Sequence, residues 1–166
     1  MSTVLESDRL RLEAVRPDHA AALGRLVFDD PEVMQFSDGP VDVEAWIAGA
    51  LQSYEANGYG PWLVVDKETD EPLGYCGLFS GQVNGKPEVE IGYRLGRSAQ
   101  GKGYATEAVK ATLGYATGHG IRRVVALIDP SNHSSLRVAE KAGFVHETDV
   151  MFPGYTHPDG LYVAEL

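Results

Sequence analysis

A glycine-rich hexapeptide, Gln100 to Ala105 (QGKGYA), is the stretch of this sequence with the clearest capacity to hold a ligand. Gly101 and Gly103 lack a Cβ, so the backbone can form turns closed to other residues and its N–H groups can touch a ligand. Apolar or small residues then recur at the spacing of one helix face, so the glycines precede a predicted helix. The first turn of a helix has unpaired N–H donors and a positive dipole end. This combination suits an anionic phosphate.

Two better-known phosphate loops do not fit this hexapeptide. A Walker A loop closes with Gly-Lys-Ser/Thr, whereas Lys102 is followed by Gly103. A dinucleotide-binding GxGxxG opens the first βαβ unit of its domain, whereas this loop follows about a hundred residues of other pattern. A glycine-rich turn between a strand and a helix can also be only a turn. The hexapeptide alone therefore leaves a binding role and a structural role open.

A polar cluster opens a second predicted helix, directly after the β-rich run Val124 to Ile128. Asn132 and Ser135 stand at the start of this helix, and Gly143 closes it. Ser, Thr, Asp and Asn are the usual N-cap residues, so a purely structural role explains Asn132 and Ser135 as well as a role in binding.

The order and spacing of these motifs resemble the GNAT superfamily of acyl-CoA-dependent N-acetyltransferases. The matching motifs are Gln-x-x-Gly-x-Ala (Gln100, Gly103, Ala105), Asn-x-x-Ser (Asn132, Ser135) and Glu-Lys-x-Gly-Phe (Glu140 to Phe144). A Glu-Ile-Gly-Tyr strand (Glu90 to Tyr93) and a Gly-Tyr-Ala-Thr-Glu-Ala run narrow the resemblance to the branch of ribosomal-protein N-terminal acetyltransferases of the RimJ/RimL type.

The resemblance implies an acetyl-CoA-dependent enzyme in which a primary amine attacks the thioester directly, without an acyl-enzyme. The acceptor would be a protein or peptide N-terminus or a small amine. A non-catalytic acyl-CoA-binding sensor or interaction module is the alternative, and retention of Glu90, Asn132 and Ser135 favours the enzyme. The glycine spacing, the adjacent basic block and the resemblance together predict eight cofactor-binding residues: Gln100, Gly101, Lys102, Gly103, Tyr104, Ala105, Asn132 and Arg97.

Glu90 is the predicted general base, because an amine is protonated near neutral pH and must lose a proton before it attacks. Its neighbours Val89 and Ile91 are apolar, and a carboxylate in apolar surroundings can have a raised pKa. Side chains alternate along a strand, so the same pattern also fits an outward-facing residue. The resemblance favours the catalytic role, and it also places Ser135 near the thioester sulfur. We assign Ser135 the positioning of sulfur first, because a serine hydroxyl is a weak acid, and proton donation second.

Charge is distributed unevenly along the chain. The net charge of −10 argues against a nucleic acid as the main partner. The segment from Leu26 to Asp66 has eight carboxylates and no Lys or Arg, whereas the segment from Ile91 to Arg123 is basic around the glycine loop. Solvated surface explains both segments, but the resemblance places the acidic one beside the acceptor site. We therefore predict a positively charged amine as the acceptor, with Asp38 and Trp46 as substrate-binding residues.

Other residues that could do chemistry have simpler explanations. Cys76 lies in an apolar strand and is predicted to be core rather than a nucleophile. Tyr104 and Tyr115 could reach the cofactor or act as the acid, but their helical spacing is more typical of packing. The five histidines show no paired spacing, so no metal site is predicted.

The composition is that of a soluble globular protein with one domain, residues 1–166. No run approaches the length needed to span a bilayer, no signal peptide is visible, and a single cysteine allows no internal disulfide. We expect a cytoplasmic protein that binds neither a membrane nor a nucleic acid. The oligomeric state stays open, with a homodimer as one option.

The element order β-α-α-β-β-β-α-β-α-β-β mixes hairpins with βαβ crossovers, which predicts an α/β (α+β) fold. We expect a single mixed, mostly antiparallel central sheet with flanking helices. The resemblance implies the GNAT fold, with a V-shaped splay between the strands at 88–95 and 121–129 that admits the pantetheine arm. The predicted elements are strands at 9–14, 61–66, 73–79, 88–95, 124–128, 144–152 and 161–166, with helices at 17–27, 42–57, after the glycine loop and before Gly143.

Overall fold

The computed structural model describes residues 3–166, and these residues form an eight-stranded sheet. The strand order across the sheet is β1-β2-β3-β4-β5-β6-β8-β7, and every neighbouring pair is antiparallel except β5 with β6. This confirms the prediction of a mixed, mostly antiparallel sheet. The strands are β1 (Thr3–Glu6), β2 (Leu10–Ala14), β3 (Pro61–Asp66), β4 (Pro72–Val83), β5 (Lys86–Leu95), β6 (Arg123–Ile128), β7 (Val145–Val150) and β8 (Asp159–Glu165).

Helical segments cover both faces of the sheet. Between the first strands and α2, the chain forms a 3-10 turn, a short α1 and a π-type turn where the sequence predicts one regular helix. Asp42 caps α2 by accepting a hydrogen bond from the Ala45 N–H, and Gly58 ends α2 with a φ of 77°. The α-helices are α1 (Ala20–Leu23), α2 (Val43–Asn57), α3 (Tyr104–Gly118) and α4 (His133–Lys141).

The sequence prediction missed β1. This strand has four residues, pairs only with β2, and has an irregular register between Thr3 and Leu5. A segment this short shows no alternation that would separate a strand from a loop.

The alternation of side chains along the strands divides the core into two layers. Cys76 and Ile91 belong to the layer under α3 and α4, and Tyr75 belongs to the layer under α1 and α2. Cys76 has no exposed surface, and burial raises the pKa of its thiol to about 12, which confirms its prediction as a core residue. Trp62 is also buried, and Tyr115 packs edge-on against it.

The pairing between β5 and β6 is the irregular point of the sheet. These two parallel strands are in register at Glu90 and Val125, and in residues 3–166 no further backbone pairing joins them. Arg123, at the start of β6, donates to both carboxylate oxygens of Glu88 on β5 and so fastens the strands on the amino side of that pair. On the carboxyl side the two strands line a cleft. Within residues 3–166, none of the helices combines the length and the apolar character that a bilayer crossing requires.

Candidate active site

The cleft between the carboxyl ends of β5 and β6 has a volume of about 930 Å³. It is lined by both strands, by the first turns of α3 and α4, by the loop before α2 and by the loop between β7 and β8. The cleft brings together ten of the predicted site residues: Glu90, Gln100, Gly101, Gly103, Tyr104, Ala105, Asn132, Ser135, Asp38 and Trp46. Lys102 and Arg97 are not among its lining residues.

Glu90 lies where β5 separates from β6. Burial raises the pKa of its carboxyl group to about 7, while the nearby Arg94 lowers that pKa and Asp159 raises it. A carboxyl group with such a pKa is partly ionised at neutral pH and can accept a proton there. The position and the pKa both fit the predicted role of general base.

An aromatic cluster forms the wall of the cleft on the same face of the sheet as Glu90. The Trp46 ring centroid lies 5.0 Å from that of Phe28 and 4.8 Å from that of Tyr75. Arg94 donates a 2.8 Å hydrogen bond to the Tyr75 hydroxyl. Trp46 is therefore held by packing while one part of it stays in the cleft, as its prediction as a substrate-binding residue requires.

The glycine loop presents a run of free backbone donors. Gly101 and Gly103 have φ values of 74° and 80°, a region that favours glycine. Within residues 3–166, the N–H groups from Gly101 to Thr106 donate to no protein acceptor. Gly103 is the N-cap of α3 and offers no side chain to satisfy them. Six consecutive donors at a helix start form a receptor for an anion such as a phosphate.

Arg9 holds this loop in place, a role that no sequence motif indicated. Its guanidinium donates to the Lys102 carbonyl oxygen at 3.0 Å and to Glu107 Oε1 at 2.7 Å. The same group lies 4.3 Å from the centroid of the Tyr104 ring. Arg9 therefore connects the turn before β2 to the middle of the loop and to the first turn of α3.

Arg97 points to an acidic segment instead of the loop. Its guanidinium pairs with both Asp30 and Glu32, with nitrogen to oxygen distances of 2.7 Å and 2.9 Å. The hydrogen bond from Arg97 also lowers the pKa of the Asp30 carboxyl. Two carboxylates thus compensate the charge that the sequence analysis assigned to coenzyme A.

Asn132 and Ser135 open α4 at the edge of the cleft. The Asn132 Oδ1 accepts the Ser135 N–H at 3.2 Å, which is the helix-capping role that both residues could have from sequence alone. The Ser135 Oγ lies 2.8 Å from the Tyr93 hydroxyl oxygen. Tyr93 stands three residues after Glu90 and also lines the cleft. In the sequence, Tyr93 stood out only as the last residue of the Glu-Ile-Gly-Tyr motif.

Carboxylates gather at the other end of the cleft. The Tyr155 hydroxyl donates to Asp38 Oδ1, which ties the loop before α2 to the loop before β8. Ligand atoms of Asp129, His157 and Asp159 all lie within 4.8 Å of one another. The histidine spacing did not indicate this group, and the absence of a metal site stays a prediction. With Asp38, these side chains make this end of the cleft negative.

Tyr115 lies outside the cleft. Its hydroxyl donates a 2.8 Å hydrogen bond to the Gly58 carbonyl oxygen, and its ring packs on Trp62. The prediction of a packing role for Tyr115 is confirmed. Tyr104, in contrast, lines the cleft beside the glycine loop.

The family model described as Acetyltransferase (GNAT) domain matches residues 9–145. The YkkB protein of Bacillus subtilis is 38% identical over 145 residues, which are 85% of this chain and 84% of that protein. The ribosomal-protein-serine acetyltransferase of Escherichia coli is 29% identical over 153 residues, which are 87% of this chain and 84% of that enzyme. The fold matches that of RimL, a ribosomal L7/L12 alpha-N-protein acetyltransferase, with a TM-score of 0.84, coverage of 100% and 96% of the two chains, and 23% identity.

The chain belongs to the GNAT acetyltransferase family. It is an acetyltransferase of GNAT type, and its similarity to a ribosomal-protein-serine acetyltransferase and to RimL agrees with the RimJ/RimL-like resemblance.

Proposed function

We propose that this protein transfers the acetyl group of acetyl-CoA to a primary amine, by direct attack of the amine on the thioester. The observation that supports this proposal most strongly is the buried position and raised pKa of the Glu90 carboxyl group. A carboxyl group whose pKa burial raises to about 7, placed where two strands separate, is suited to take a proton from an attacking amine. Cys76 is buried in the core, so it is not available as an acyl-carrying nucleophile.

The residues at the glycine loop fit coenzyme A. The cofactor carries a pyrophosphate, and the loop offers six N–H groups without a protein acceptor in residues 3–166. A solved RimL structure of the same fold is a complex with coenzyme A. In this proposal the loop from Gln100 to Ala105 holds the pyrophosphate and Asn132 contacts the pantetheine arm. Contacts from Lys102 and Arg97 side chains stay predictions.

The acceptor in this proposal is a positively charged primary amine, either a peptide N-terminus or a small amine. Asp38, Asp129 and Asp159 line the same end of the cleft, where a cationic group is attracted and an acidic one repelled. Trp46 supplies an aromatic surface beside them. The names of related ribosomal-protein acetyltransferases favour a peptide N-terminus. The charges in the cleft would attract either a peptide N-terminus or a small cationic amine.

Replacing Gly103 with Val should weaken coenzyme A binding more than tenfold, about 1.4 kcal/mol or more. The added side chain crowds the approach to the N–H groups and disfavours the φ of 80°. Gly120→Val is the matched control, because Gly120 has a φ of 77° at the other end of α3 and lies outside the cleft. Calorimetry that finds equal affinity in wild type and a folded Gly103→Val variant would remove the loop from the cofactor site.

Glu90→Gln should lower turnover about a hundredfold at neutral pH and leave acetyl-CoA affinity nearly intact. Wild-type kcat/KM should rise with pH through the pKa of about 7, since only the ionised carboxylate accepts a proton. The Glu90→Gln variant should lack this rise of kcat/KM with pH. Glu88→Gln is the control, because Glu88 lies two residues earlier on β5, pairs with Arg123 and does not line the cleft. A Glu90→Gln variant that keeps both the wild-type turnover and the rise of kcat/KM with pH would show that another group is the base.

Asp38→Asn should raise the KM of cationic acceptors about tenfold and change kcat little, because the carboxylate attracts the acceptor before the reaction. Glu44→Gln, in the same acidic segment but outside the cleft, should leave KM unchanged. Added salt should lower kcat/KM for cationic acceptors as the Debye length falls from about 30 Å to about 8 Å. Equal rates for acidic and basic acceptors of matched size, without a salt effect, would contradict a charge-based site.

A further inference from the structure

The Ser135 hydroxyl makes its hydrogen bond outside its own helix. Thr112 and Thr117 on α3 each donate to the carbonyl oxygen four residues earlier, at 2.8 Å and 3.0 Å, which is the common arrangement within a helix. Ser135 makes no such bond in the described part of the chain, and its Oγ instead lies 2.8 Å from the Tyr93 hydroxyl oxygen. Its donor capacity is therefore not used by its own helix.

Tyr93 reaches Ser135 from β5. Its ring packs in the core layer under α3 and α4, and its hydroxyl stands at the edge of the cleft. The same hydroxyl lies 3.3 Å from the Ser135 carbonyl oxygen, a longer approach than the one to Oγ. Either hydroxyl can donate in the 2.8 Å contact, and a phenol, as the stronger acid of the two, is the better donor. A tyrosine that donates there leaves the serine hydrogen free to turn toward the cleft.

We propose that Tyr93 is a positioning residue, which donates to Ser135 Oγ so that the Ser135 hydroxyl hydrogen points at the sulfur that leaves during acetyl transfer. This inference rests on the proposed function. It names a residue to which neither the motifs nor the comparisons assign a role.

Transfer of the acetyl group from the thioester to the amine needs no proton from Tyr93. The bond between the amine nitrogen and the acetyl carbon forms, and the bond between that carbon and sulfur breaks with its electron pair on sulfur. The ammonium form of the acceptor first loses one proton to water, and the second proton, which leaves the nitrogen as the new bond forms, goes to Glu90. Because a thiol has a pKa near 8.5, the thiolate needs only a hydrogen bond from Ser135 to be a fair leaving group.

The surroundings of Tyr93 agree with a donor that keeps its proton. Burial raises the pKa of its phenol to about 12, and the hydrogen bond with Ser135 lowers it. The phenol therefore stays neutral throughout the pH range in which the enzyme is assayed. A phenol with so high a pKa is a hydrogen-bond donor and a poor proton donor.

The test combines Tyr93→Phe, Ser135→Ala and the double variant with a control, Tyr115→Phe. The control removes a hydroxyl that also bonds a backbone carbonyl oxygen, but outside the cleft. Tyr93→Phe and Ser135→Ala should each lower kcat about tenfold, with the acetyl-CoA KM within twofold of wild type. The double variant should be no slower than Ser135→Ala, because both changes remove one hydrogen bond to sulfur.

A binding measurement tests the same contact without an acceptor. The pKa of the coenzyme A thiol in the complex, followed by the ultraviolet absorbance of the thiolate, should rise by about one pH unit in Tyr93→Phe and in Ser135→Ala. An unchanged thiol pKa in Tyr93→Phe, or rate losses that multiply in the double variant, would overturn the inference. If the thiol pKa rises as expected in both variants but the wild-type protein acetylates no amine, the proposed function would be overturned and the inference supported.

Discussion

The end of backbone pairing between β5 and β6 is the constraint on which the site depends. A buried strand normally satisfies its N–H and C=O groups through both neighbours, and unpaired groups are costly in the interior. Here the pairing is limited to Glu90 and Val125, and the strands beyond that pair face a cleft instead of each other. The opening exposes backbone and side chains of two central strands to the cleft.

The interrupted pairing also leaves candidate functional side chains on both faces of the sheet at the cleft. Alternation along β5 sends Glu90 toward the layer under α1 and α2, and Tyr93 toward the layer under α3 and α4. In the proposed reaction, an amine that approaches from the first face would meet Glu90 and the carboxylates around Asp38. A thioester that approaches from the second face meets the glycine loop and Ser135. The gap between β5 and β6 is where the two can meet.

Much of the fold could be predicted from sequence because its signals are local. Apolar periodicity indicated the long helices, Gly143 indicated the end of α4, and Gly101 with Gly103 indicated the loop between β5 and α3. The short β1 and the irregular turns around α1 could not be predicted, because neither repeats for long enough to show a period.

The site was harder to predict where it depends on contacts between distant residues. Arg9 reaches the loop across ninety-three residues of chain to Lys102, and Tyr93 reaches Ser135 across forty-two, so no spacing in the sequence reveals either contact. Arg97 likewise makes a contact that no local pattern indicated. It is close to the loop in sequence, but Asp30 forms its ion pair from another part of the chain.

The proposed mechanism depends on a Glu90 carboxyl group whose pKa is raised to about 7 by burial at the opening of the sheet. A carbon-detected NMR titration of the glutamate side-chain carboxyl groups measures this pKa, with the Glu90 signal assigned by its absence in Glu90→Gln. We expect a midpoint at about pH 7 for Glu90. A midpoint near the ordinary glutamate value, about 4.3, would contradict it, because the carboxyl group would then be solvated and a weak base.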